Sequence, residues 1–211
     1  MAQTMPFWIG ADASCTDGAC GQVSRIIVNP VTREVTHLAV GPKYRRGQGR
    51  LVPVDLVDTT TGQIRLRCTL AEFQTLRPAQ EGGSAPDLDP SGHLGNPANQ
   101  VRWVLGPVHD PGDAGQGVTV AYVPSGEVDI RPELIVCATD GEIGPVQGLI
   151  VESGDHRVTH VLLREGHIWG RKEVAIPIGG VTKIGTLLIH LSLTKHQVKD
   201  LLSVDSDHSA G

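Results

Sequence analysis

The sequence predicts a mainly β protein: two small barrel-like β units, each closed by a short C-terminal helix, joined by a long flexible linker. Three observations predict it. One stretch of the chain occurs twice, short Val/Ile/Leu segments alternate with turn signals, and a Gly/Pro/Asp-rich tract separates the two copies. The first unit spans residues 6–77, the linker 78–123, the second unit 124–204 and a tail 205–211.

The duplication is read directly. Thr16–Gly49 and Thr139–Lys172 align at a constant offset of 123, with identity at 11 of 34 positions. The identities are Thr16, Asp17, Gly18, Gly21, Val23, Ile27, Val28, Val35, Thr36, His37 and Gly47 with their partners from Thr139 to Gly170. Farther on, Val52-Pro53 matches Ile176-Pro177, and the run from Ile64 matches the run from Ile189.

Each copy then reads as a series of elements. A strand leads into Thr-Asp-Gly, where glycine tolerates the backbone of a tight turn. A second strand follows at Gln22–Val28 or Val146–Glu152. A turn comes at Asn29-Pro30 or Ser153–Asp155. The third strand is Val35–Val40 or Val158–Arg164. A polar hairpin tip leads to a fourth strand near Leu51–Val54 or Val174–Ile178. The fifth, Ile64-Arg-Leu-Arg-Cys68 in the first copy, alternates apolar and charged side chains, so one face is buried. Helices are predicted at Thr69–Leu76 and Thr194–Leu202, each with a threonine at the capping position before an apolar stripe. Closing such strands into barrels would remove exposed edges.

Composition narrows the class. The chain has 211 residues, 39% hydrophobic but only 3% aromatic, so its cores rest on Val, Ile and Leu. Two units of this size lie near the lower limit for a self-sufficient core and gain by packing on a partner or on each other. No apolar run reaches the roughly 18 residues of a membrane span, and the N-terminus lacks a signal-peptide pattern; a cytoplasmic protein without membrane insertion is expected. The net charge of −5 is uneven: +3 over residues 1–80, −6 over 81–130 and −2 over 131–211. That distribution opposes a general nucleic-acid binder.

The four cysteines, Cys15, Cys20, Cys68 and Cys137, form no CxxC and read as small buried hydrophobes in a reducing compartment. A disulfide between Cys15 and Cys20 would require oxidation. A zinc site would need four suitably spaced ligands, and the spacing does not supply them.

The repeated pattern resembles the PRC-barrel family. The residues that carry it are Ala13-Ser-Cys-Thr-Asp-Gly18 and Val136-Cys-Ala-Thr-Asp-Gly141, the Gly21–Val28 and Gly144–Val151 strands, the Val-Thr-His strands and the Val/Ile-Pro elements. The second half is similar to bacterial tandem members. The resemblance covers both repeats and implies PRC-barrel-like β-barrels. The family's barrels occur in the cytoplasmic part of the photosynthetic reaction centre H subunit and in the ribosome maturation factor RimM. In both they are mainly interaction modules, so the likeness speaks to fold more than to function.

No residue set reads as an active site, and no cofactor or metal is expected. Asp17 and Asp140 are explained by their turns. Ser14 and Ser24 have no triad context, and neither a P-loop nor a dinucleotide fingerprint is present. The duplicated His37 and His160 are the sharpest candidates for a ligand or proton-transfer role, set against a structural histidine on a strand. A metal site would need His160 and His167 brought together beside Glu165 or Glu173.

The hairpin tips are the expected binding surface. The first carries Lys43, Tyr44, Arg45, Arg46 and Arg50; the second carries His167, Trp169, Arg171 and Lys172. An aromatic beside cations suits a protein contact. The leading expectation is a non-catalytic interaction or scaffolding protein that binds a protein partner or self-associates, as a homodimer for example. An RNA- or ribosome-associated factor and a small-ligand or metal binder using the duplicated histidines are the alternatives.

Overall fold

Two 12-residue strands, β3 (Gly18–Asn29) and β12 (Gly141–Glu152), form the spines of the molecule. The computed structural model describes residues 4–42, 49–60, 63–83, 118–121, 123–124, 126–164, 173–185 and 187–205. It is mainly β, with two curled sheets, one of them curling through half a barrel.

The first repeat contributes β2 (Asp12–Cys15), β3, β4 (Glu34–Gly41), β5 (Arg50–Pro53), β6 (Val57–Thr60) and β7 (Gln63–Leu66), in the sheet order β5-β4-β3-β2-β7-β6. The second contributes β11 (Ile135–Ala138), β12, β13 (Val158–Arg164), β14 (Glu173–Pro177), β15 (Val181–Ile184) and β16 (Leu188–Leu191), in the equivalent order β14-β13-β12-β11-β16-β15. A 3-10 turn follows the Pro-bearing strand in each repeat, at Val54–Leu56 and Ile178–Gly180. These turns and the short strands after them, β6 and β15, were not expected from the sequence.

The bulges are duplicated too. The β3–β4 register shifts between Val23 and Arg25 and between Ile27 and Val28; β12–β13 shifts at Val146/Gly148 and Ile150/Val151, the same positions at the 123 offset. Bulges bend a strand and increase its twist. That curls both sheets the same way. Gly21, at φ 134°, lies where a Cβ would overlap the Gly41 carbonyl, so glycine is required there.

Each repeat ends in a helix, α1 (Leu70–Thr75) or α2 (Lys195–Asp205). The Thr69 side chain accepts from Glu72 N–H, and the Glu72 carboxylate accepts from Thr69 N–H at 2.8 Å, a complete capping box. Thr194 and Gln197 form the same reciprocal pair at 2.9 and 3.3 Å. The turn aspartates add a third bond. Asp17 Oδ1 accepts from Leu70 N–H at 2.7 Å, and Asp140 Oδ1 from Lys195 N–H at 2.8 Å. These carboxylates thus fasten each turn to its helix, a role beyond turn formation.

The repeats exchange strands. β1 (Thr4–Trp8), which leads into the first repeat, pairs antiparallel with β12 of the second, Phe7 opposite Leu149. β10 (Val128–Ile130), which leads into the second repeat, pairs with β3 of the first, Ile130 opposite Ile26. Phe7 and Ile130 are both fully buried and belong to one apolar cluster that draws on both repeats. Burying a side chain such as Phe7 contributes about 2 kcal/mol in transfer free energy.

A second junction joins the β3–β4 and β12–β13 turns. Val35 N–H donates to His156 O at 2.9 Å, and Val158 N–H to Arg33 O at 2.8 Å. The bonds are equivalent at the 123 offset, so a local two-fold axis passes between Glu34 and Arg157, which form the bridge. Arg33 and His156 carry the matching positive φ values of 60° and 58°. Arg33 also donates to the Ile178 and Val181 carbonyls, at 3.2 and 3.3 Å, across the junction.

The stretch read as linker holds a two-stranded antiparallel pair, β8 (Gln80–Gly83) with β9 (Val118–Ala121), near its two ends. Residues 84–117 between them lie outside the described residues, as do 206–211 of the tail.

Candidate functional site

Cross-strand partners share one face of a sheet. Arg25 faces Ala39, Ile27 faces His37, and Ala39 faces Leu51. On the other flank of β3, Ile27 faces Asp129. These residues form the outer face of the first sheet, opposite the main core. It is roofed: Ile27, Ala39 and Leu51 pack with Ala79 and Val123 in a separate buried cluster. The roof is held by Leu51 N–H donating to Arg77 O and Ala79 N–H to Gly49 O, both at 2.8 Å.

Under this roof lies an ionic group. Asp129, 2% exposed, sits 3.6 Å from Arg25 Nη1 and 3.7 Å from Arg131 Nε. Arg25, 6% exposed, donates through Nη2 to the Ala79 carbonyl at 2.7 Å. Arg25 Nε and Nη1 and Asp129 Oδ2 make no hydrogen bond. Burial pulls the Arg25 guanidinium below its ordinary pKa, with Asp129 opposing. At the 123 offset Arg25 becomes Gly148, Asp129 becomes Pro6 and Arg131 becomes Trp8. The second repeat has no counterpart of this group.

His37 stands beside it, half-buried. Thr36 Oγ1 donates to Glu127 Oε2 at 2.8 Å, and His37 Nδ1 is 3.0 Å from the same hydroxyl. With the hydroxyl proton on Glu127, the His37 Nδ1–H donates to Thr36. The result is a short relay, imidazole to hydroxyl to carboxylate. Burial pushes the imidazole below its ordinary pKa, while the Glu127 and Asp55 charges pull it part of the way back. His160 repeats the first link, with Nδ1 3.0 Å from Thr159 Oγ1, but Thr159 donates to the Ile150 carbonyl at 3.1 Å. The position equivalent to Glu127 is Thr4, which has no carboxylate.

Among the tip residues, Arg50 is described, and its guanidinium is engaged. It donates to Leu76 O at 3.2 Å and to Gln74 Oε1 at 3.4 Å, which ties β5 to the end of α1. Lys43, Tyr44, Arg45, Arg46, His167, Trp169, Arg171 and Lys172 lie outside the described residues, as does Glu165. Among the described residues no three His, Cys, Asp or Glu side chains are grouped so as to hold a metal ion.

Three thiols gather in the first repeat, which sequence spacing does not reveal. Cys15 lies within hydrogen-bonding reach of both Cys20 and Cys68. Burial, reinforced by Cys20 at Cys15 and by Cys15 at Cys68, raises both thiols to about 11. All four cysteines are free, and the raised values keep these two in the unreactive thiol form at neutral pH. The equivalent positions in the second repeat are Ala138, Ile143 and Leu193, so the group fills an apolar corner.

The Arg25–Asp129 pair also escapes sequence reading, because its members are far apart in the chain. The visible trace is the loss of the repeat at position 25, an arginine where the other copy has glycine. No helix among the described residues is long and apolar enough to cross a membrane. Compared with protein-family models and with curated proteins, the chain matches none.

Proposed function

We propose that this chain is a non-catalytic interaction or scaffolding protein of the tandem PRC-barrel type, working in the cytoplasm. The observation that carries the reading is the use made of its duplicated polar residues. Asp17 and Asp140 fasten helices, Thr69 and Thr194 cap them, and His37 and His160 bond the preceding threonine. Groups that a catalytic reading would enlist are engaged in the fold, in both copies alike. The copies also differ in sequence: Lys43–Arg50 is basic, and its counterpart at 166–172 carries Trp169 between His167 and Arg171. We assign protein contact to these two sequences, one suited to an acidic partner and one to an aromatic anchor. The RNA reading loses one cation of its cluster, since Arg50 is bonded to the α1 end.

Affinity capture at native expression, followed by mass spectrometry, tests this reading. It should be run in parallel with an Arg45→Ala/Arg46→Ala double variant and with Trp169→Ala. A specific set of proteins that one variant loses supports it. A monomer whose captured set is the same in all three would sink it.

A further inference from the structure

The lead-in strands lie on the line that β2 and β11 continue. Along one flank of β3, β2 pairs Asp12 with Gln22, and β10 pairs Val128 with Val28 farther on. Along β12, β11 pairs Ile135 with Pro145, and β1 pairs Met5 with Val151. Met5 and Val128 are equivalent at the 123 offset, as are Val28 and Val151. Each lead-in strand therefore occupies, in the other repeat, the register it would take in its own. The connections divert it. Ala11 N–H bonds Trp8 O at 3.2 Å, and the equivalent Leu134 N–H bonds Arg131 O at 3.0 Å. Gly10, at φ 91°, makes the first of these turns in a conformation that favours glycine.

Two arrangements thus share one register, and the residues facing the strands separate them. A Cβ at Gly148 would overlap the Phe7 carbonyl oxygen. β1 pairs through Trp8 opposite Gly148, whereas β10 stops at Ile130 opposite Ile26, one residue short of Arg25. If each strand returned to its own repeat, β1 would meet the Cβ of Arg25. Arg25 would then lie against Pro6 with no carboxylate, and Asp129 against Gly148 with no guanidinium. A buried charge without its partner is strongly destabilising.

We propose that the flanks of β3 and β12 are strand-binding slots, that their reciprocal filling holds the repeats together without residues 84–117, and that Arg25–Asp129 and Gly148 set which strand each slot accepts. The partner these slots fit is a short extended strand with one large inward apolar side chain, Phe7 or Ile130. Strand pairing supplies the backbone bonds, and the residues at 25 and 148 supply the choice. This holds whatever the assembled protein binds.

The test cuts the folded full-length chain at a specific protease site placed within 84–117. The mass is then followed by size-exclusion chromatography with light scattering over a dilution series. The cut wild-type chain is expected to run as one species at the uncut mass, one piece of each kind. Asp129→Asn should raise the dissociation midpoint by about tenfold or more, and Arg25→Met with Asp129→Leu should bring it back to within about threefold of wild type. Gly148→Ala should separate the pieces. Circular dichroism of the uncut variant shows whether it folds; if it does not, the Asp129→Asn series decides. Wild-type pieces that separate at micromolar concentration, or that form dimers of one piece alone, overturn the slots. An Asp129→Asn midpoint equal to wild type overturns the choice.

Discussion

At position 129 the strand that crosses into the first sheet buries an aspartate to 2% exposure; at the equivalent position 6 the strand that crosses into the second leaves a proline exposed. The two cores are nearly interchangeable: same strand order, same bulges, same helix caps. The two outer faces are not. The first is roofed by Ala79 and Val123, from the two ends of the connection between the repeats. Under that roof a charge needs a partner, and Arg25 with Asp129 supply each other. Duplication preserved the inward side chains, and the connection created the difference on the outward ones.

The comparison can be broken most sharply at its centre. Asp129→Ala leaves Arg25 buried without its carboxylate, and a denaturant titration should show a loss of about 3 kcal/mol. Pro6→Ala, at the exposed equivalent, should cost under about 1 kcal/mol. Equal losses would mean that the roof does not desolvate the pair.

The symmetric side is tested by the helix caps. Thr69→Ala and Thr194→Ala each remove one side of a capping box, and each should cost about 1 kcal/mol by the same titration. A loss confined to one repeat would show that the caps are equivalent in geometry but not in energy.

The smallest effect separates the histidines. His37 is held below its ordinary pKa by burial, so the unfolded chain binds its proton first as pH falls. Its contribution is therefore complete above about pH 6.5 and is lost as pH drops from there through the folded value. Glu127→Gln removes a charge that favours the imidazolium, and the His37 midpoint in an NMR titration should move lower still. An upward move would contradict the relay. This variant has no counterpart beside His160, because Thr4 stands at the position equivalent to Glu127.

Much of this fold was legible in the sequence. The constant offset located both sheets. Alternation in Ile64–Cys68 marked β7, and Thr69 and Thr194 marked the helix starts. What escaped was partner choice. Alternation tells which face of a strand is buried, not which neighbour it pairs with, and Thr4–Trp8 satisfies the register of either slot. Asp129 counted only toward the acidic excess of residues 81–130, because nothing local ties it to Arg25. His37 and His160 read as equivalents, and the difference between them rests on Glu127, brought in by the exchanged strand. The thiol group escaped for the same reason: Cys68 meets Cys15 only once β7 has paired with β2.

The central claim is the exchange itself, and backbone NOEs in uniformly labelled protein test it most directly. The account predicts cross-strand contacts between Phe7 and Leu149 and between Ile130 and Ile26. Contacts between Phe7 and Ile26, with Ile130 against Leu149, would place each strand in its own repeat and contradict it.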